Sequence, residues 1–313
     1  MPHLRTQKTS FTGGEVTPRL LGRGDLSTYT NGAARLRNVF VHPTGGISRR
    51  SGLRYVANSP GNGRLVAFEF NTEQVYLMVF TDLAISVYPD MLDDPYTPIT
   101  TEWTLDHLDQ ISWTQSADTL LVIHPDVAPK KITRKKDGTG WEITDWKFYT
   151  KDDKIFQPYH KFADDEVKIT PSGTLGSITL TASADAFDAS HVGTRFRIEN
   201  KEVEITAFTS ATQLQATTKE SLVSTTATED WEEQAFSELR GWPISVAFHQ
   251  DRMVIGGSRD LPNRLWLSKS TDLFNFDLGE GLDDEAIEFA ILSDQVNAVR
   301  LKFNHRTTVS AQT

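Results

Sequence analysis

The residues able to do chemistry in this chain are carboxylates and imidazoles. Acids cluster at Asp93–Asp94, Asp152–Asp153, Asp164–Asp165–Glu166 and Asp283–Asp284–Glu285, with Glu288 close behind. A glycosidase needs two carboxylates facing each other across a cleft. Adjacent residues of a strand point to opposite faces, so these runs read as solvated loop acids. The eight histidines (His3, His42, His107, His124, His160, His191, His249 and His305) show no metal-ligand spacing. With no cysteine, disulfides, thiolate zinc sites and cysteine nucleophiles are excluded. No Gly-x-Ser-x-Gly elbow and no Gly-x-x-x-x-Gly-Lys phosphate loop occurs. The expectation is a protein that is not an enzyme and needs no metal or other cofactor. Arg23-Gly24-Asp25 spells a tripeptide that some adhesion receptors read, but three residues are too few to indicate a receptor.

Seven tryptophans (Trp103, Trp113, Trp141, Trp146, Trp231, Trp242 and Trp266) could line a sugar groove or stack on bases. They fall on or beside strand-like runs, where large rings usually fill cores. The formal net charge of -10 is unevenly spread. Residues 1–54 hold nine basic side chains against two acids, Glu15 and Asp25, a net of +7, so the rest carries -17. A basic arm on an acidic body suggests docking to a neighbour or contact with nucleic acid. The acidic body argues against a protein that clamps DNA, since it would repel phosphate.

At 313 residues, 38% apolar and 24% charged, the chain has the composition of a globular protein with more than one module. No window approaches the ~20 unbroken apolar residues of a membrane helix. Met1–Ser10 shows no apolar h-region, so no secretory leader is expected. Helical periodicity is scarce. Short runs rich in Val, Ile, Thr, Phe and Trp dominate instead, bounded by Gly, Pro, Asn and Asp. They include Arg64–Phe70, Gln74–Phe80, Ala84–Tyr88, Thr119–His124, Trp141–Trp146, Ser177–Thr181, Arg195–Ile198, Val203–Phe208, Ile244–Phe248, Arg252–Ile255 and Arg264–Leu267. The fold class expected is all-β, with three parts. Residues 1–59 form a Gly/Arg-rich N-terminal arm. Residues 60–162 and 229–313 form a β-propeller-like body. Residues 163–228, rich in Thr, Ser and Ala, form a small inserted β-barrel or sandwich.

The body repeats itself. Gln115–Arg134 and Gln250–Ser268 share an order of Gln, Asp, a β run, a polar loop, Pro and a second β run. The anchors are Gln115 with Gln250, Asp118 with Asp251, Pro129 with Pro262, and Ile132 with Leu265. A recurring β unit points to propeller blades. A third echo starts at Ser293–Phe303 and the sequence stops at Thr313. The propeller is therefore expected to be incomplete, either as part of a longer chain or completed by another subunit.

The arm, FTGGEVTPRLLGRGDLSTYTNGAARLRNVFVHPTGGISRRSGLRYV over Phe11–Val56, resembles the N-terminal signature of the tail nozzle proteins of short-tailed phages. These are the tail tubular protein B family, with the packaged-DNA stabilisation proteins as relatives. The resemblance rests on Phe11, Gly13, Gly14, Glu15, Pro18, Leu20, Gly22, Arg23, Asp25, Tyr29, Gly32, Asn38, Gly45, Gly46, Arg49, Arg50 and Gly52. Ala235–Phe276 is similar to the stretch that opens the family's central propeller, and the Thr-rich insert resembles a small β-barrel module of some members. What the resemblance implies is a virion structural protein, made in the bacterial cytoplasm. It would form a hexameric ring with a tail adaptor ring and tail fibre or spike proteins as partners. Double-stranded DNA would be retained by that ring and pass through it transiently on ejection. Phe11, Gly13, Gly14, Glu15, Gly22, Arg23, Asp25, Tyr29, Asn38, Gly45, Gly46, Arg49 and Arg50 are then the expected assembly arm, with Arg49 and Arg50 pairing with partner carboxylates or DNA phosphate. The alternative expectation is a carbohydrate-binding or glycan-cleaving tail protein.

Overall fold

The computed structural model describes residues 8–20, 22–55, 57–71, 73–89, 95–291, 299, 301–302 and 310–311. Asp93, Asp94, His3, His305 and most of the third echo over Ser293–Phe303 lie outside them. The chain is all-β and divides into two compact units, residues 1–57 and 58–313.

The larger unit is built from antiparallel meanders, each of four strands in chain order. The first runs through Arg64–Glu69, Val75–Thr81, Ala84–Pro89 and Ile99–Thr100. The second comprises Ser112–Ser116, Thr119–His124, Val127–Arg134 and Trp141–Asp145. The third comprises Ser245–His249, Arg252–Gly256, Arg264–Leu267 and Ile287–Ala290. Side chains alternate between the faces of a strand, so a sheet buried on one face alternates in polarity and a sheet buried on both does not. The unbroken run Leu120-Leu121-Val122-Ile123 is the second case. Leu120 and Val122 join a core with Val66, Phe68, Met78, Phe80 and Trp103 of the first meander and the segment after it. Leu121 and Ile123 face the other way and pack with Val246, Met253, Ile255 and Trp266 of the third.

Asp118 and Asp251 do hold equivalent places, each the second residue of the tight turn joining the first two strands of its meander. Both turns use positive φ, at Ala117 in one and at Gln250 and Asp251 in the other. The other anchors do not superpose. Gln115 lies within a strand while Gln250 is in the turn, and Pro129 is inside a strand while Pro262 precedes one. Ile132 and Leu265 both sit on third strands, but pair with Leu120 and Gly256 near opposite ends of the second. The first meander, over Arg64–Thr100, does not share this sequence pattern with the other two.

Between the second and third meanders the chain makes an excursion into a seven-stranded antiparallel sheet. Its spatial order is Tyr159–His160, Trp231–Gln234, Arg195–Ile198, Lys201–Ser210, Gln213–Thr218, Ser177–Ala182 and Ile169–Pro171. Here the period is two: Ile178, Leu180, Phe196, Ile198, Val203, Ile205, Leu214 and Ala216 all turn inward to one core. A bridge between Ile169 and Thr228 curls the far edge back toward the run leading into Trp231 without closing a barrel. The chain leaves and returns side by side, with the Ala235 amide donating to the Pro158 carbonyl at 2.9 Å. An excursion that starts and ends at adjacent points leaves the host sheets undisturbed.

Because Leu121 is buried where two layers meet, Leu121→Ala should cost about 2–5 kcal/mol in urea unfolding. Leu65→Ala, on a strand of the first meander but 62% exposed, should stay within about 0.5 kcal/mol. Stability should also depend on pH. Burial, with His107 alongside, pushes His124 down from 6.5 to about 4. Burial, with Arg264 and Arg240 nearby, does the same to His160. Between pH 6.5 and 4 the folded chain therefore holds fewer protons on these rings than the unfolded chain, so stability is lost as pH falls through that window. Urea unfolding at steps across it should show the loss, and His124→Gln with His160→Gln should flatten it.

Candidate assembly surface

The smaller unit, residues 1–57, owes its course to two close backbone approaches. Gly14–Glu15 pairs in parallel with Gly32–Ala33. The Gly13 amide donates to the Asn31 carbonyl and the Val16 amide to the Ala33 carbonyl, both at 2.9 Å. A single helical turn, Ser27–Thr30, presents the Thr28 carbonyl to both glycines. A Cβ on Gly13 would lie 2.6 Å from that oxygen; one on Gly32 would lie 2.7 Å from it and 2.4 Å from Val16 Cγ1. Neither position has room for a side chain. A cavity of about 290 Å³ opens beside them, lined by Lys8, Val16, Thr17, Pro18, Tyr29, Gly32 and Ala34. The Lys8 ammonium donates to the Gly32 carbonyl.

Both acids of this segment are engaged internally. Glu15 Oε2 accepts the Leu36 amide at 2.8 Å. Asp25 accepts two hydrogen bonds from Arg23, each 2.8 Å. The Arg23 guanidinium lowers the Asp25 carboxyl, and Asp25 raises Arg23. That pair accounts for the Arg-Gly-Asp tripeptide as a local fork beside the Gly22 turn. Arg50 is held without an acid: its Nε donates to Asn38 Oδ1 at 2.9 Å and its amide to the Asn38 carbonyl at 3.0 Å. Asn38 accepts both from a left-handed conformation, φ 56°, which asparagine tolerates. Among the described residues Arg19, Arg35, Arg37, Arg49 and Arg54 have no side-chain hydrogen bond or ion pair.

Arg49 stands on a hairpin, Val39–Val41 with Ile47–Arg49, whose turn runs through Gly45 at φ 100° into Gly46. The Phe11 amide donates to the Gly45 carbonyl at 2.9 Å, tying the start of the arm to this turn. Val41 and Ile47 are opposite one another and both exposed, and Phe40 on the other face is 62% exposed. A two-stranded hairpin with bare apolar groups is marginal in water unless something covers it. Phe40, Val41 and Ile47 were not among the expected assembly residues. Their signal is the short β-rich run Val-Phe-Val ahead of His-Pro-Thr-Gly-Gly, which reads as a hairpin once the turn is recognised.

Several other candidate acids are engaged in turns and ion pairs. Asp152 and Asp153 form a turn at positive φ. The Asp283–Glu285 loop is pinned from behind by buried Arg252, which donates to the Ser268, Asp283 and Glu285 carbonyls. Glu285 in turn accepts the Glu280 and Leu282 amides, which lowers its carboxyl. Glu288 pairs with Arg264. Among the described residues no group of three His, Asp or Glu could hold a metal ion. Five tryptophans (103, 141, 146, 231 and 266) are buried, and Trp113 and Trp242 pack half-buried against the cores, so no indole forms an open platform.

No protein-family model matches the chain, and no curated protein is similar to it at a significant level.

Gly32→Ala should loosen the arm, because the added methyl meets backbone on one side and Val16 on the other. Gly24→Ala, with open space at its Cβ, should not. Limited proteolysis should show cleavage within residues 8–55 rising sharply in the first variant only.

Proposed function

We propose that the chain is a structural subunit of a phage tail nozzle, the ring through which packaged DNA is retained and later ejected. The observation that carries this reading is the arm. It uses its two acids internally and turns free guanidinium groups and an apolar hairpin outward, which is the surface of an assembly element. The spacing of its glycines, arginines and Asn38 is the part of the sequence that resembles the nozzle family. Two features of the larger unit support the same reading. Three four-stranded meanders share cores in series, as successive blades of a propeller do. The tryptophans are committed to cores, which disfavours a glycan groove. In this reading six copies form the ring, the arm seats on a neighbouring copy or on the adaptor ring, and the chain does no covalent chemistry.

The test is assembly. The mass of the purified chain would be measured in solution, alone and with the adaptor ring, and the products imaged by negative-stain electron microscopy. Rings or adaptor-capped tubes are expected. Removing residues 1–52 should abolish them while leaving the larger unit folded. Phe40→Ser combined with Arg49→Glu, two exposed substitutions, should weaken association by more than about 1 kcal/mol per side chain if these are central contacts. Undiminished assembly in both variants would sink the proposal. Quenching protection of tryptophan by added surface polysaccharide would bring the glycan-binding alternative forward instead.

A further inference from the structure

The larger unit carries a net negative charge, yet one of its turns is strongly basic. Lys131, Arg134, Lys135 and Lys136 follow one another within six residues at the end of the third strand of the second meander. None of the four has an ion pair among the described residues. Their neighbour Lys130 marks the contrast, since it is paired with both Glu102 at 3.1 Å and Asp145 at 2.9 Å. The turn is tight: the Gly138 amide donates to the Lys135 carbonyl and the Lys135 amide to the Gly140 carbonyl, both at 2.9 Å. Lys135 and Lys136 are thereby held outward and exposed.

Three of these cations, Arg134, Lys135 and Lys136, border a concavity. An open depression of about 290 Å³ is lined by Arg134, Lys135, Lys136, Gly138, Phe70 and Asp118. Arg134 is oriented before any ligand arrives. Its guanidinium lies over the Phe70 and Tyr76 rings, 5.5 and 5.7 Å from their centroids, and Nη1 reaches Gln74 Oε1 at 3.4 Å. The two acids close by do not cancel the cluster. Asp137 is turned into its own loop, accepting from the Thr139 amide at 2.9 Å and hydroxyl at 2.7 Å. Asp118 accepts from the Thr119 hydroxyl at 3.3 Å, at the rim. Three cations converging on one opening exceed what a single planar carboxylate neutralises. They suit the spread charge of a phosphodiester, to which arginine offers a fork and lysine a movable point charge.

We propose that this turn is a contact for the phosphate backbone of double-stranded DNA, independent of base sequence. The biological setting rests on the nozzle reading, but the binding itself does not. In a ring that conducts DNA, a few such contacts per copy would hold the duplex loosely between regions that repel it.

The experiment is an anisotropy titration of the full chain with a short labelled duplex across a range of salt. Lys135→Glu with Lys136→Glu is compared with Arg49→Glu with Arg50→Glu in the arm. The expected result is that the turn variant loses about tenfold or more in affinity. Its salt dependence should flatten by about two in the log–log slope, as two phosphate contacts disappear. A duplex of unrelated sequence should behave identically. Absence of duplex binding by the parent chain, unchanged binding in the turn variant, or loss in the arm variant alone would each overturn the proposal. So would a turn variant that keeps DNA binding but loses self-association by light scattering, which would make the turn a protein contact. A chain that binds duplex through the turn yet never assembles would instead count against the nozzle reading alone.

Discussion

Four consecutive apolar residues, Leu120 to Ile123, hold the larger unit together. They are the point at which two otherwise separate cores share one strand. This layer is committed on both faces, one to each of the two larger cores of the meanders. Its neighbours must therefore supply apolar residues at alternate positions, and they do: Met78 and Phe80 on one side, Met253 and Ile255 on the other. Full burial also dictates the hydrogen bonding. A strand with no access to water must have its backbone groups paired on both edges, and Thr119–His124 pairs with Ser112–Ser116 on one edge and Val127–Arg134 on the other. His124 closes the run as a buried imidazole. Its Nδ1 accepts the Asp126 amide at 3.1 Å, and Nε2 has no partner among the described residues. Such a ring stays neutral because charging it there would strand a cation in the core.

The seven-stranded excursion is oriented by polar contacts rather than by shared apolar layers. His191 Nδ1 accepts the Asp188 amide at 2.9 Å, so Nε2 bears the proton and donates to Glu233 at 2.8 Å. Arg240 donates to both oxygens of the same carboxylate, at 2.7 and 3.2 Å, and stacks over Phe162. Glu233 and His191 are nearly inaccessible to solvent. A buried ion pair adds little net stability, since desolvation offsets most of the attraction. Its geometry is demanding all the same. Three hydrogen bonds to one carboxylate are satisfied together in only one arrangement of the His191 turn, the Trp231–Gln234 strand and the connector bearing Arg240. The excursion is thus hinged at a paired stalk and fixed at a specific angle there, which an apolar contact would leave less defined.

Strand positions were largely legible because they depend on period-two burial. Arg64–Phe70, Thr119–His124, Arg195–Ile198 and Arg264–Leu267 were placed to within a residue or so of the observed strands. What escaped were mainly short strands, the interior Trp231–Gln234 among them. Ile99–Thr100 is two residues long and exists through its ladder to Ala84 and Ile85, and Ile287–Ala290 is half exposed, so neither carries a burial pattern strong enough to announce itself. In the arm the glycine spacing was readable but its cause was not. The constraint on Gly13 and Gly32 comes from the Thr28 carbonyl, and that oxygen is in place only because Ser27–Thr30 makes one turn of helix. The repeat was overread at Gln115 and Gln250, where matching letters stand in different structural places. The basic turn was missed through averaging: a net -17 counted over the whole remainder hides four cations in six residues.

That averaging also bears on how an acidic protein could touch DNA at all. Charge repulsion between exposed groups fades beyond a Debye length of about 8 Å at physiological salt. Acids elsewhere on the unit therefore set the background, while groups within a few ångströms of a phosphate set the contact. Lys135, Lys136 and Arg134 line one depression, and Asp137 beside them accepts two hydrogen bonds from Thr139. The arm obeys the same local rule, with Asp25 folded back on Arg23 and Glu15 on the Leu36 amide. In both places cations are left free because the nearby acids are satisfied by their own loops, and not because acids are absent. Few, separated phosphate contacts on a repelling background give weak and salt-sensitive attachment, so a duplex would be held without being gripped. A surface meant to clamp DNA would need the opposite arrangement, with cations outnumbering acids over the whole face.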